Sequence, residues 1–280
     1  MTETLQFVKM EGLGNDFIVL DGESDVRTGK IKEHAVELCD RRKGIGADGV
    51  ICVLPSQIAD YRMRIFNSDG SEPEMCGNGV RCFTRYLQEK KLTTKQSVSI
   101  DTLAGLIQVQ TQGDLYKVNM GIPRFSPAQI PVESGDSEFF MKDITAKDTT
   151  FKVTAVSMGN PHAVIYSDDL SDELVLGYGP ILENHPLFPK RTNVEFIKIL
   201  SPKEISMRVW ERGCGETQAC GTGACAAAVS GIVNKLHDNQ VTVHLPGGDL
   251  FISWDGDRES PVFMTGPART VFNGTVEVDL

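Results

Sequence analysis

The sequence predicts a mixed α/β (α+β) protein built from two related halves. Short apolar runs with strand character alternate with a few helical segments. The same motifs also recur at one spacing. Met63-Arg64-Ile65-Phe66 and Met207-Arg208-Val209-Trp210 stand 144 residues apart, as do Glu72 and Glu216. So do two cysteine turns, Met75-Cys76-Gly77-Asn78-Gly79 and Ala219-Cys220-Gly221-Thr222-Gly223. Gly14-Asn15 and Gly159-Asn160 match at a spacing of 145. Two copies in the same order suit a pseudo-twofold pair better than a solenoid array.

In the first half, strands are expected at Leu5–Lys9 and Phe17–Asp21, then a helix around Ile31–Arg42, where Ile31, Ala35, Leu38 and Cys39 fit helical spacing. Strands follow at Val50–Leu54 and Tyr61–Phe66. The polar turn from Asn67 to Pro73 leads to Cys76 and a helix to about Lys90. Short strands are expected at Val98–Asp101, Leu106–Gln110 and Tyr116–Met120. The second half repeats this order. Its strands are Phe151–Val156, Ala163–Tyr166, Val194–Leu200 and Ile205–Trp210, with a helix over Leu170–Glu183. The turn Glu211–Glu216 leads to Cys220 and a helix to about Lys235, and strands close the chain from Gln240 onward. The halves are expected at 1–120 and 121–269, with the junction near Gly121-Ile122-Pro123-Arg124 and 270–280 returning to the first half.

The 280 residues are 40% hydrophobic and 24% charged, values of a soluble globular protein. A net charge of −10 argues against a general nucleic-acid binder but allows an anionic substrate. The run Ala219–Val233 is too short and too rich in Gly, Ser and Thr to span a bilayer, so no membrane partner is expected. The N-terminus lacks the basic and apolar regions of a signal peptide, which predicts a cytoplasmic protein. Seven cysteines, an odd count, point to reduced thiols rather than a disulfide framework.

Cys76 and Cys220 each open a Gly-rich helix. A helix start favours a thiolate through its unpaired N–H groups and its dipole. It also holds an anion such as a carboxylate, and glycine lets the backbone approach a ligand closely. A single such cysteine reads as a small buried hydrophobe. Two at equivalent positions read as an acid and a base across one substrate. A zinc site is disfavoured, because no Cys-x-x-Cys pair is present. Cys39, Cys52, Cys82, Cys214 and Cys225 read as structural. Ala224–Ala228 are small enough for their helix to be buried on all sides.

Asn15, Asn67, Asn160 and Asn193 fall at corresponding turns. Turn formation is their usual role, but a neutral amide that both donates and accepts also suits a zwitterionic amino acid. Glu211 occupies the place of Asn67. Arg212 is either a solvated ion-pair partner or a fork for a substrate carboxylate. His162, in Gly159-Asn160-Pro161-His162, is either a packed turn residue or a group that tunes the thiols.

Together these residues resemble the diaminopimelate epimerase family over essentially the whole chain. The resemblance rests on Gly12-Leu13-Gly14-Asn15-Asp16-Phe17, Asn67-Ser68-Asp69-Gly70, the Cys76 turn through Arg81, Gly159–His162, Thr192-Asn193-Val194-Glu195-Phe196, Glu211-Arg212-Gly213 and the Cys220 turn. Related proline racemases typically carry His where Asn78 stands, and cysteine-free relatives lack both thiols. The resemblance implies two pseudo-symmetric halves, each a mixed or antiparallel curved sheet around a central helix. It implies cofactor-independent interconversion of LL- and meso-diaminopimelate, in lysine and peptidoglycan-precursor synthesis, by a homodimer. By motif position, Cys76 is the proton donor and Cys220 the acceptor, with His162 and Glu211 supporting the thiol chemistry. Asn15, Asn67, Asn160, Asn193, Glu211 and Arg212 contact substrate. Gly77-Asn78 and Gly221-Thr222 hold the α-carboxylate. Some members have Gln where Gly49 stands, which puts one contact to the distal end of the substrate in doubt.

The α-hydrogen of an amino acid is a very weak acid, and no pyridoxal-lysine motif is apparent. A two-thiol reaction therefore needs one thiolate and one thiol that exchange states on turnover. The rivals are a thiol-rich binding or redox module without turnover, and a racemase for another amino acid such as proline or hydroxyproline.

Overall fold

Alternating or continuous apolar runs build most of the strands in the computed structural model, which describes residues 2–279. The chain divides into two units, Met1–Val118 with Gly266–Leu280, and Asn119–Thr265.

The first unit opens with β1 (Thr2–Gly12) and β2 (Asn15–Asp21), joined by a tight turn in which Leu13 and Gly14 take φ values of 59° and 83°. Such angles suit glycine and strain leucine. Next come α1 (Asp25–Glu33) and α2 (Ala35–Cys39), where the sequence suggests one helix over Ile31–Arg42. The Ser24 hydroxyl accepts from the Arg27 N–H and starts α1 early. Asp40 ends α2, because its backbone turns to ψ 121° and its carboxylate takes the N–H groups of Arg42 and Lys43. Then follow β3 (Gly49–Leu54), β4 (Tyr61–Asn67), α3 (Gly77–Glu89), β5 (Ser97–Thr102), β6 (Gly105–Gln112) and β7 (Leu115–Asn119).

The second unit contains β8 (Lys142–Ala146), β9 (Thr149–Ser157), β10 (Pro161–Tyr166), α4 (Asp172–Glu183), β11 (Asn193–Ser201) and β12 (Glu204–Glu211). It continues through β13 (Gly215–Glu216), α5 (Gly221–Val233), β14 (Gln240–Leu245), β15 (Gly248–Ser253) and β16 (Phe263–Pro267). The final strand, β17 (Arg269–Asp279), pairs antiparallel with β1, Leu5 opposite Val276. Two strands escape the sequence reading. β8 is only five residues long, with Ile144 and Ala146 buried between exposed neighbours, and β13 has two residues.

Strand pairing repeats between the units. In the first, β1–β2 is antiparallel, β2–β3 parallel, β3–β4 antiparallel and β4–β5 parallel. In the second, β9–β10, β10–β11, β11–β12 and β12–β14 follow the same alternation. β17 on β1 is matched by β8 on β9.

Each unit is organised on one buried helix. In α3, Val80, Phe83 and Leu87 are fully buried, and the helix packs on β1, β2, β3, β4 and β6. Burying each of these side chains stabilises the unit by about 1.5–3 kcal/mol. Ala224–Val229 of α5 are fully buried, and that helix packs on β9, β10, β11, β14 and β15. Small side chains let strands approach such a helix from every side.

The repeated Met-Arg pattern has a structural use. Arg64 grips Glu72 through two bonds of 2.7 and 2.9 Å, and Arg208 grips Glu216 at the same two distances. A guanidinium fork matches a carboxylate in this geometry. In each unit the pair ties a long strand, β4 or β12, to the segment that leads into the cysteine helix.

Candidate active site

In the first unit, Cys76 is the N-cap of α3, with extended backbone at φ −139°. Its Sγ donates to Asn15 Oδ1 over 3.6 Å, and Asn78 Nδ2 donates to the same oxygen over 3.2 Å. Gly79 lies where a Cβ would stand 3.1 Å from Ile51 and 3.5 Å from the Cys76 side chain, so a small residue keeps the first turn close to β3. Asn15, Cys76, Gly77 and Asn78 thus share one corner. Asn67 stands at the end of β4, opposite Gly49, with its Nδ2 bonded to Ser71 Oγ at 2.9 Å.

In the second unit, Cys220 caps α5 and is 6% exposed. Its Sγ accepts from the Gly223 N–H at 3.4 Å and lies 3.5 Å from Thr222 Oγ1. Burial pushes this thiol well above its ordinary value. The carboxylates of Glu211 and Glu195 push the same way, against the pull of Thr222 and Gly223. Glu211 is raised by its own burial, opposed by bonds from Thr217 and Cys220. Burial first, and the acids at its side second, therefore make the Cys220 thiol a weak acid and its thiolate a strong base.

Beside it, Asn160 Nδ2 donates to Thr222 Oγ1 at 3.2 Å, and Asn160 Oδ1 lies 3.0 Å from His162 Nε2. His162 Nδ1 lies 2.6 Å from Glu195 Oε1, with both side chains fully buried. A Cβ at Gly223 would stand 2.9 Å from Glu195 Oε1 and 3.3 Å from Cys220 Sγ. Only a glycine lets α5 start this close to the pair.

Asn193 and Arg212 differ in what they offer. Asn193 is 4% exposed, donates to the Pro161 carbonyl at 2.8 Å and accepts from the Arg212 N–H at 2.9 Å. Its amide braces two backbone segments. Arg212 is exposed, its guanidinium bonded to the Lys190 carbonyl at 3.3 Å.

Three residues of these clusters escape the sequence reading. Glu195 carries a weak signal, a single acid inside the apolar run Val194–Ile197. Asp48, bonded to Asn15 at 2.7 Å, stands in the Gly-rich stretch before β3. Thr217, which donates to Glu211, carries none. Cys39, Cys52 and Cys82 are each pushed up to about 12 by burial. At Gly49 a Cβ would stand 2.8 Å from the Phe66 carbonyl oxygen, so no side chain fits without moving backbone.

Among the described residues, no helix is long and apolar enough to cross a membrane. No cluster of three or more His, Cys, Asp or Glu among them has metal-site spacing.

A family model described as "Diaminopimelate epimerase" matches residues 7–126 and 154–271. The diaminopimelate epimerase of Halothermothrix orenii is 51% identical over 285 residues, covering 98% of each chain. That of Desulforudis audaxviator is 49% identical over 274 residues, covering 96% of this chain and 98% of the relative. Among solved structures, a hydroxyproline epimerase from Agrobacterium vitis superposes with a TM-score of 0.70 at 16% identity, covering 99% of this chain and 93% of the other. A Bacillus anthracis phenazine biosynthesis protein of the PhzF family gives 0.69 at 19% identity, covering 99% and 100%. At these identities the last two speak for the fold alone.

Proposed function

We propose that this chain, which belongs to the diaminopimelate epimerase family, interconverts LL- and meso-2,6-diaminopimelate by passing protons through Cys76 and Cys220. The observation that carries the mechanism is the equivalent placement of two sulfurs, each at the N-cap of its unit's buried helix. Cys76 donates to an amide oxygen, while Cys220 accepts from a backbone N–H and also bonds the Glu211 carboxyl. A donor at the sulfur favours the thiolate, and an acceptor favours the thiol.

In the LL-to-meso direction, the Cys220 thiolate takes the α-proton, and the electron pair of the C–H bond stays on the α-carbon as a carbanion. The Cys76 thiol returns a proton to the opposite face. The product leaves with Cys220 as thiol and Cys76 as thiolate, and proton exchange with water returns them to their starting states before the next LL substrate. A thiol held high by burial and by Glu211 is a strong base once ionised, which suits a weakly acidic α-hydrogen. The N-terminal turns of α3, at Gly77 and Asn78, and of α5, at Gly221 and Thr222, receive the α-carboxylate and stabilise charge growing on it. Asn15, Asn67, Asn160, Asn193, Glu211 and Arg212 complete the contacts, with His162 supporting the thiols. The enzyme works in the cytoplasm as a homodimer and needs no cofactor.

The test is α-hydrogen exchange in D2O, followed by NMR with LL-diaminopimelate and a panel of amino acids. Exchange and epimerisation confined to diaminopimelate support the reading. Exchange only with proline or hydroxyproline, or with no substrate, rejects it.

A further inference from the structure

Asn15 offers Cys76 an oxygen rather than a nitrogen, and the cause lies on the other side of the amide. Asn15 Nδ2 donates to Asp48 Oδ2 at 2.7 Å, and the Asp16 N–H reaches the same oxygen at 3.1 Å. A carboxylate only accepts. Turning the Asn15 amide over would set two oxygens against each other and lose both the Asp48 and Asn78 bonds.

Asp48 is itself held. Arg41 donates to Asp48 Oδ1 at 2.9 Å and to both carboxylate oxygens of Asp16, at 2.7 and 3.0 Å. Lys9, a 6% exposed lysine, lies 2.7 Å from Asp16 and also bonds the Gly46 carbonyl. The Asp48 N–H closes on Asp16 Oδ1 at 3.1 Å. Two cations and two acids thus fasten the loop before β3 to the start of β2, and Asn15 is the side chain leading from that network to the thiol.

We propose that Asp48 is a positioning residue for the reaction: by holding the Asn15 nitrogen it turns the Asn15 oxygen onto Cys76 and keeps that sulfur a proton donor. The inference rests on Cys76 being the donor thiol of the proposed function. Neither the cysteine motif nor the Gly-rich stretch around Asp48 reveals the link, because it runs through a side chain from a third segment.

Iodoacetamide at pH 7, with the Cys76 peptide quantified by mass spectrometry, reads the thiolate at that sulfur. Asp48→Ala frees the amide to present its nitrogen, and Cys76 alkylation rises about tenfold, the effect of about one unit of thiol acidity. In an Asn15→Ala background the same Asp48→Ala change leaves the rate unaltered. An unchanged rate in the single variant overturns the inference. So does an equal rise without Asn15, which would mean that the Asp48 charge acts directly on the sulfur. Neutron diffraction of the deuterated wild-type protein decides the point even if the variants do not fold. Asn15 deuterons facing Asp48 uphold it, and deuterons facing Cys76 overturn it. Failure of the epimerase reading shows separately, as wild-type protein without α-hydrogen exchange.

Discussion

Glu195 Oε1 lies 2.6 Å from His162 Nδ1, and neither side chain reaches solvent. The other carboxylate oxygen, Oε2, has no hydrogen-bond partner among the described residues. The acid is therefore held from one side, by His162. Removing one member of such a pair strands the other in the core. Glu195→Ala is expected to lower stability by about 3–5 kcal/mol. Glu216→Ala, which breaks a pair 19% and 25% exposed, is expected to cost about 1 kcal/mol. Urea unfolding of both variants checks the contrast, and equal losses would reject it.

Serine in place of Cys76 or Cys220 keeps the size but loses the acidity. Cys76→Ser and Cys220→Ser are each expected to slow epimerisation by about 10²–10⁴ while far-UV circular dichroism stays unchanged. A serine variant with near-normal turnover would remove that cysteine from the mechanism.

Burial is the largest cause of the raised Cys220 thiol, and Glu211 is the next. Glu211→Gln removes the negative charge and leaves the burial. The Cys220 titration is then expected to move to lower pH without reaching that of an exposed thiol. Peptide-resolved alkylation of Cys220 against pH measures it. A shift to higher pH would mean that Glu211 acts on this thiol through something other than its charge.

Asp16 is pushed up by burial, but bonds from Arg41 and Lys9 outweigh this and hold it at about 2, below the ordinary 3.8. A carboxylate lowered on folding contributes stability above its unfolded value and loses it as pH falls through the folded one. Wild-type protein is therefore expected to lose thermal stability between about pH 4 and 2 partly through Asp16. Asp16→Asn should be less stable at neutral pH and show a flatter fall over that window. Parallel curves for the two proteins would exclude the effect.

Restoring glutamine at position 49 tests whether the glycine is a lost contact or a packing need. A Cβ there meets the Phe66 carbonyl oxygen at 2.8 Å. Gly49→Gln is expected to cost about 1–3 kcal/mol of stability, as overpacking does, and to leave KM for diaminopimelate no lower. A lower KM with unchanged melting temperature would contradict this.

Much of the molecule is legible in the order of its residues. The spacing of 144 residues points to two copies, and the strand pairing repeats in the two units. Both cysteine helices begin where the Gly-rich turns predict. The α1–α2 break is not legible, because apolar spacing runs through it while the stop comes from the Asp40 side chain bonding nearby backbone. β8 is a short alternating segment whose pairing with β9 makes it a strand.

The sequence by itself determined the repeat, the two equivalent cysteine turns and the family, because these are written in residue identity and spacing along one line. Only the tertiary structure decided which way each sulfur is bonded. Asp48 reaches Cys76 through Asn15, and Glu195 stands behind His162 near Cys220, across separations in sequence that no local pattern records. Hydrogen-bond direction depends on which partner folding brings to each side of an amide or imidazole. Two turns of matching sequence therefore acquire different chemistry from their neighbours.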